Sequence, residues 1–169
     1  MKYDLGCGPW KMPGFHGMDN VQYNDVVDTI VDLMQLPWPI EDASAEEIRM
    51  SHFLEHFTIP LDDVFKEVHR VLQPNGIFTI ILPNLRGSGA FNPGHTVYLD
   101  EQYFMKNKLF QSLFTVKQYH YSKQFTDLDM VQAVERMSQI LGIPVQMLDR
   151  LLWNTFHQVE IIAVKKESE

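Results

Sequence analysis

The chain has 169 residues, 45% of them hydrophobic and 12% aromatic, which is the size and composition of one ordinary domain around a continuous core. Its formal net charge is −8 and its lysines and arginines are scattered, which argues against nucleic acid as a partner because a phosphate backbone calls for a basic stripe. The single cysteine, Cys7, excludes an internal disulfide and a cysteine-built zinc site, and no apolar run nears the ~20 residues that span a bilayer.

Met1-Lys2-Tyr3-Asp4 leads at once into a strand signal with no room for a signal peptide, so a cytoplasmic protein without a membrane partner is expected. Tyr3-Asp4-Leu5 reads as a short buried strand that ends in the tight loop Gly6-Cys7-Gly8. Phe15-His16-Gly17-Met18 is a second strand ending at Asp19, Val26 to Val31 a third ending at Asp32, and Ile48 to Ser51 a fourth. Leu61 to Leu72 carries Leu61, Val64, Phe65, Val68, Val71 and Leu72 at helical spacing behind Pro60, and stops before Pro74-Asn75-Gly76. Ile77 to Leu82 is β-branched and almost continuously apolar, as in a strand buried on both faces, and Pro83 ends it. Further strands are expected at Phe114–Tyr121 and Val159–Val164, with helices at Leu128–Leu141 and Val145–Trp153 between them, divided by Gly142 and Pro144.

Strands alternating with helices, and acids at the strand C-ends, predict an α/β fold. The expected form is a doubly wound, mostly parallel open sheet in one domain over 1–169, with its site at those C-ends. Only Pro9 to Gly14 separate the glycine loop from the second strand. A crossover helix needs about ten to twelve residues, so the first helix is expected to be reduced or missing.

The glycines Gly6 and Gly8 allow a sharp turn and a close approach of backbone to ligand. A carboxylate after the second strand (Asp19) can accept hydrogen bonds from ribose hydroxyls, and one after the third (Asp32) can accept from an exocyclic adenine amine. Together they describe an adenosine pocket.

In family order, the chain then carries Asp4-Leu5-Gly6-Cys7-Gly8, Gly17-Met18-Asp19, Asp32-Leu33-Met34-Gln35-Leu36-Pro37-Trp38-Pro39, Ser51-His52-Phe53-Leu54-Glu55-His56, and Glu67 to Gly76. Over this half it resembles the class I S-adenosylmethionine-dependent methyltransferases, in particular the small Rossmann-like, type 11-like group acting on metabolites and glycans. The resemblance implies S-adenosyl-L-methionine as cofactor and S-adenosyl-L-homocysteine as product. It puts Gly6 and Gly8 beside the methionine and ribose, Asp4 at the loop and the amino end, Asp19 on the ribose hydroxyls, and Asp32 with the Leu33 backbone on the adenine. Cys7, Asn20, Ser51 and His52 complete the implied cofactor contacts. Trp10 stands where a third glycine is common.

Methyl transfer from a sulfonium is an in-line displacement that gains mostly from alignment and dryness, so a catalytic base is optional. Candidates for proton removal from the acceptor are His52, Glu55, His56 and His95. Each has a structural alternative: His52 packing on the cofactor, Glu55 and His56 capping their loop, His95 satisfying a turn. The acceptor is expected to be a small molecule or glycan-like, covered by segments 86–108 and 128–153, whose aromatics Phe91, Tyr98, Tyr103, Phe104 and Phe110 either line its pocket or fill core. Arg86, Lys106 and Lys108 could meet an anionic group. The helix pair at 128–153 could equally support a homodimer instead of a monomer, and no resident metal is expected.

Two other readings compete. His52-x-x-Glu55-His56 spells the inverted zinc-protease motif, which requires His52 to Phe57 to lie within one helix. The fold can also serve as a cofactor-binding module without catalysis.

Overall fold

The computed structural model describes residues 1–85, 88–122, 128–144, 147 and 158–167. Seven strands form one open sheet: β1 (Lys2–Leu5), β2 (His16–Asp19), β3 (Thr29–Ile30), β4 (Ala45–Ser51), β5 (Leu72–Pro83), β6 (Phe114–Ser122) and β7 (Gln158–Lys165). Their order is β3-β2-β1-β4-β5-β7-β6. The first five run parallel, and β7 lies antiparallel between β5 and β6. This is the mostly parallel open sheet expected from the sequence.

Among the described residues the α-helices of more than one turn are α1 (Leu61–Val71), α2 (Glu101–Lys106), α3 (Lys108–Leu113) and α4 (Leu128–Leu141). No α-helix precedes β4, so the first crossover helix is absent and the next two crossovers are loops as well. Instead, the β1–β2 loop folds against the sheet, where the Met12 N–H donates to the buried Asp4 carboxylate at 2.8 Å and Lys11 pairs with Asp28 at 2.7 Å. The expected helix Val145–Trp153 lies outside the described residues apart from Met147.

Along α1 the buried residues Leu61, Val64, Phe65, Val68 and Val71 form one stripe, with Asp62 and Asp63 in the first turn and His69 and Arg70 in the last, as the helix dipole favours. That stripe joins one core with Ile48 and Met50 of β4, Phe78 and Ile80 of β5, and Ile161 and Ala163 of β7. Phe104 and Phe110, from α2 and α3, complete it, with the Phe65 and Phe110 rings 5.0 Å apart. The opposite face of the sheet carries polar pairs: Arg49 with Asp4 at 2.9 Å, Lys2 with Glu47 at 3.0 Å, and Thr79 donating to Glu47 at 3.1 Å. Register places these side chains between the core positions of the same strands.

Two elements differ from the sequence expectation. The third strand pairs only over Thr29–Ile30, because the Gly17 N–H of β2 donates to the Asp28 side chain at 2.7 Å. β5 begins directly at Leu72, paired with Ala45, so Pro74-Asn75-Gly76 is an irregularity within the strand and not a separate turn.

Candidate functional site

The C-terminal ends of β1, β2 and β3 bring the glycine loop and two acids onto one rim. Gly6 and Gly8 both take left-handed backbone conformations, with φ of 66° and 52°. The Gly6 N–H donates to the Met18 carbonyl at 2.8 Å, and the Gly8 N–H donates to Asp19 Oδ2 at 2.9 Å. Asp19 Oδ1 accepts from Val21 N at 3.1 Å. Asp19 pairs with Ile30 across β2 and β3, which sets Asp32 just beyond it on the neighbouring strand end. Asp32 is exposed, accepting from Met34 N and from Gln35 Nε2, each at 3.0 Å. Leu33 is buried, and Asn20 is exposed beside Asp19.

The glycines play different parts. At Gly8, beside Asp19, a Cβ would meet nothing within 4 Å among the described residues. At Gly6 a Cβ would stand 2.1 Å from Cγ of Phe53, so the close approach that this glycine permits is made by the protein's own ring. Asp4 is wholly buried, holding Met12 N on one oxygen and Arg49 on the other. Cys7 is buried too, and burial ahead of the nearby Asp4 and Asp19 charges pushes its thiol up to about 11. Along this rim the Asp19 and Asp32 carboxylates are able to accept protons from hydroxyls and amines.

The segment presenting Asp32 and Leu33 is fastened by α1. Trp38 N donates to Glu67 Oε1 at 2.6 Å and Trp38 Nε1 to the Leu33 carbonyl at 3.0 Å. Arg70 reaches Glu67, the Ile40 and Trp38 carbonyls, and Asp42. Two blocks distant in the sequence are thus one hydrogen-bonded unit.

Further along the rim, Ser51 ends β4 and His52 turns out of it with φ of 52°. His52 N donates to the Ile81 carbonyl at 2.8 Å, and its ring Nε2 meets Gln158 Oε1 at 3.0 Å. Its Nδ1 lies 3.6 Å from Glu55 Oε1, which is ion-pair range but long for a hydrogen bond. Burial opposes charge on this ring, but the Glu55 carboxylate and Gln158 outweigh it and raise its pKa above the ordinary histidine value. Glu55 is 2% exposed and neither of its oxygens has a hydrogen-bond partner among the described residues. A carboxylate held this way is costly, by roughly several kcal/mol, unless something compensates.

Leu54–His56 is a single 3-10 turn following the left-handed His52. His52 and His56 therefore do not share the helix face that the inverted zinc-protease motif needs. His95 joins this cluster from the loop after β5: its ring lies 4.7 Å from that of His56 in an edge-on arrangement. Thr96 fastens the two segments, its N–H donating to the Glu55 carbonyl at 2.8 Å and its hydroxyl to the Phe57 carbonyl at 2.7 Å. An open groove of about 620 Å³ adjoins them, lined by Phe57, Ile59, Leu61, Asp62, Val97 and Tyr103. Of the aromatics noted in the sequence, Phe104 and Phe110 are core, Tyr103 lines this groove, and Phe91 stacks on Tyr98 at 5.5 Å with both exposed.

A family model described as a methyltransferase domain matches residues 18–80, from the end of β2 into β5. No curated protein matches the chain. Among solved structures, a SAM-dependent methyltransferase from Archaeoglobus fulgidus superposes with a TM-score of 0.67 at 16% identity, over 97% of this chain and 85% of that one. The phosphoethanolamine N-methyltransferase 2 of Haemonchus contortus, in complex with S-adenosyl-L-methionine, gives 0.59 at 14% identity, over 99% of this chain and 48% of that one. The [4+2]-cyclase SpnF gives 0.61 at 18% identity, over 99% of this chain and 75% of that one. One architecture therefore serves more than one chemistry, and the side chains on the rim carry the argument beyond the fold. No helix among the described residues is long and apolar enough to cross a membrane.

Proposed function

We propose that the chain is a class I, Rossmann-like S-adenosylmethionine-dependent methyltransferase, a reading supported by the methyltransferase-domain match over residues 18–80 and by the shared fold, and that it methylates a small or glycan-like acceptor lying in the groove beside Phe57 and Tyr103. The observation that carries this reading is the meeting of Gly8 and Asp19 on the same rim as the groove and the His52–Glu55–His56–His95 cluster. When bound, S-adenosylmethionine supplies an electrophilic methyl group on a sulfonium.

In this reading Asp19 accepts from the ribose hydroxyls, and Asp32 with the Leu33 backbone meets the adenine. Gly6, Cys7 and Gly8 form the loop against which the sugar and methionine lie, Asn20 flanks the ribose, and Ser51 and His52 close the methionine end. Asp4 acts through the loop, because its two oxygens already hold Met12 N and Arg49. The groove, with apolar walls and Asp62 and Tyr103 as polar points, suits an acceptor with one apolar and one hydroxylated face. In this reading the acceptor's reacting atom lies near the cluster, where alignment and exclusion of water count most. Calorimetric titration with S-adenosylhomocysteine tests the cofactor half of the proposal. Binding with Kd of about 10⁻⁶ M is expected, and no measurable heat at millimolar ligand would overturn it.

A further inference from the structure

Glu55, His56 and His95 each offer one ligand atom, and these three atoms all lie within 4.8 Å of one another. The carboxylate is buried and has no hydrogen-bond partner among the described residues, while the His52 Nδ1 lies 3.6 Å from its Oε1. Both imidazoles are anchored through Nδ1, His56 on the Gly94 carbonyl at 3.1 Å and His95 on the Ala90 carbonyl at 2.9 Å. A carbonyl only accepts, so the neutral form of each ring carries its proton on Nδ1 and leaves the Nε2 lone pair to a ligand. A backbone carbonyl on the far nitrogen is also how metal-ligating histidines are held in orientation. The scaffold is fixed: Thr96 N, Val97 N and the Thr96 hydroxyl all donate to the Glu55 carbonyl. A cavity of about 10 Å³, lined by Glu55 and His95 but not by His56, adjoins the cluster on its apolar side, with room for about one water.

The geometry points to a divalent transition-metal site formed by Glu55, His56 and His95. One carboxylate and two neutral imidazoles suit zinc, with the fourth position open to water or to an acceptor oxygen. Metal–ligand bonds of about 2.0–2.2 Å put tetrahedral ligand atoms about 3.4 Å apart, so ligand atoms that lie within 4.8 Å of one another close by at most about 1.4 Å. This set differs from the inverted protease pattern: His52 is not a ligand, Glu55 is a ligand and not a base, and the third donor comes from a distant loop. The ion's place beside the acceptor rests on the function proposed above; its binding does not. There it would polarise an acceptor oxygen.

The test uses full-length protein stripped with a chelator and titrated with Co²⁺ as the spectroscopic probe, then with Zn²⁺ in competition. Expected are one equivalent bound, visible d–d absorption, and displacement by Zn²⁺. In His95→Asn, whose amide can keep the bond to the Ala90 carbonyl, and in Glu55→Gln, affinity should fall by about 100-fold or more. His69→Ala should bind as the parent does. Thermal melts check that each variant is folded, and S-adenosylhomocysteine titration of the same samples reports on the cofactor reading separately. Absence of stoichiometric Co²⁺ binding by the parent, or binding that survives His95→Asn, overturns the site.

Discussion

The ring of Phe53 lies against Gly6 so closely that a methyl group on that glycine would sit inside it, 2.1 Å from Cγ. Gly6 therefore answers two demands, a φ of 66° and room for Phe53, which in turn packs edge-on against Phe57 at 4.9 Å. Gly8 answers only the first, because none of the described residues lies within 4 Å of its missing Cβ.

It follows that Gly6→Ala should destabilise more than Gly8→Ala. Left-handed strain costs ~1–2 kcal/mol at either position, and overpacking adds ~1–3 kcal/mol at Gly6 alone. Urea unfolding of both variants checks the difference. In Gly6→Ala/Phe53→Ala the added penalty should vanish, and equal losses in the two single variants would show that Phe53 does not crowd Gly6.

Glu67 is expected to matter for stability and for ligand binding alike. It is buried, accepts from Trp38 N, and pairs with Arg70, whose guanidinium it holds charged to a pH above the ordinary arginine value. Glu67→Ala strands a buried N–H and a cation, a loss of about 2–3 kcal/mol. Because the same unit presents Asp32 and Leu33, S-adenosylhomocysteine affinity should also fall in this variant. A variant with a lowered melting temperature and parental affinity at a temperature where it is folded would separate the two effects and contradict the coupling.

Much of this was legible in the sequence because it is periodic or punctuated. The α1 stripe, the apolar β5 and β7, and the Gly-then-Asp signals at strand ends all announce themselves over a few residues. What was hidden is either too short or too distant. α2 and α3 have six residues each, fewer than two turns, and are marked only by their caps: Asp100 accepts from Tyr103 N at 3.1 Å and Asn107 from Phe110 N at 2.8 Å. Those two caps were the available signal for reading Phe104 and Phe110 as core. The shortening of the third strand depends on the Asp28 side chain replacing a ladder bond, which no residue pattern reveals. The meeting of His95 with Glu55 and His56 depends on Thr96 tying two loops together, a tertiary fact with no local trace.

Asp19 and Asp32 should contribute unequally to cofactor binding. Asp19 is half-buried and tied to the loop through Gly8, so Asp19→Ala leaves ribose hydroxyls unpaired and also loosens Gly8; the expected loss is roughly 2–3 kcal/mol in S-adenosylhomocysteine binding. Asp32 is exposed, so a hydrogen bond there competes with water and Asp32→Ala should cost about 1 kcal/mol. Calorimetry on the two variants decides the ranking, and an unchanged affinity in Asp19→Ala would remove this residue from the cofactor site.

Cys7 provides a pH-dependent readout of the same loop. Burial first, then the Asp4 and Asp19 charges, raise its thiol to about 11 from the ordinary value of 9.0. Since only the thiolate is alkylated, the folded protein at pH 8 should hold about one thousandth of this group in the reactive form, against roughly a tenth or more in the unfolded chain. Iodoacetamide labelling followed by mass measurement should therefore be slow in native protein, fast in denaturant, and should accelerate about tenfold per pH unit up to 10 while the fold persists. The linkage has a matching sign: with the folded value above the unfolded one, this thiol's contribution to stability is complete below about pH 9 and is lost as pH rises toward 11. Rapid labelling of native protein at neutral pH would place Cys7 in open, polar surroundings and contradict the loop geometry around Gly6 and Gly8.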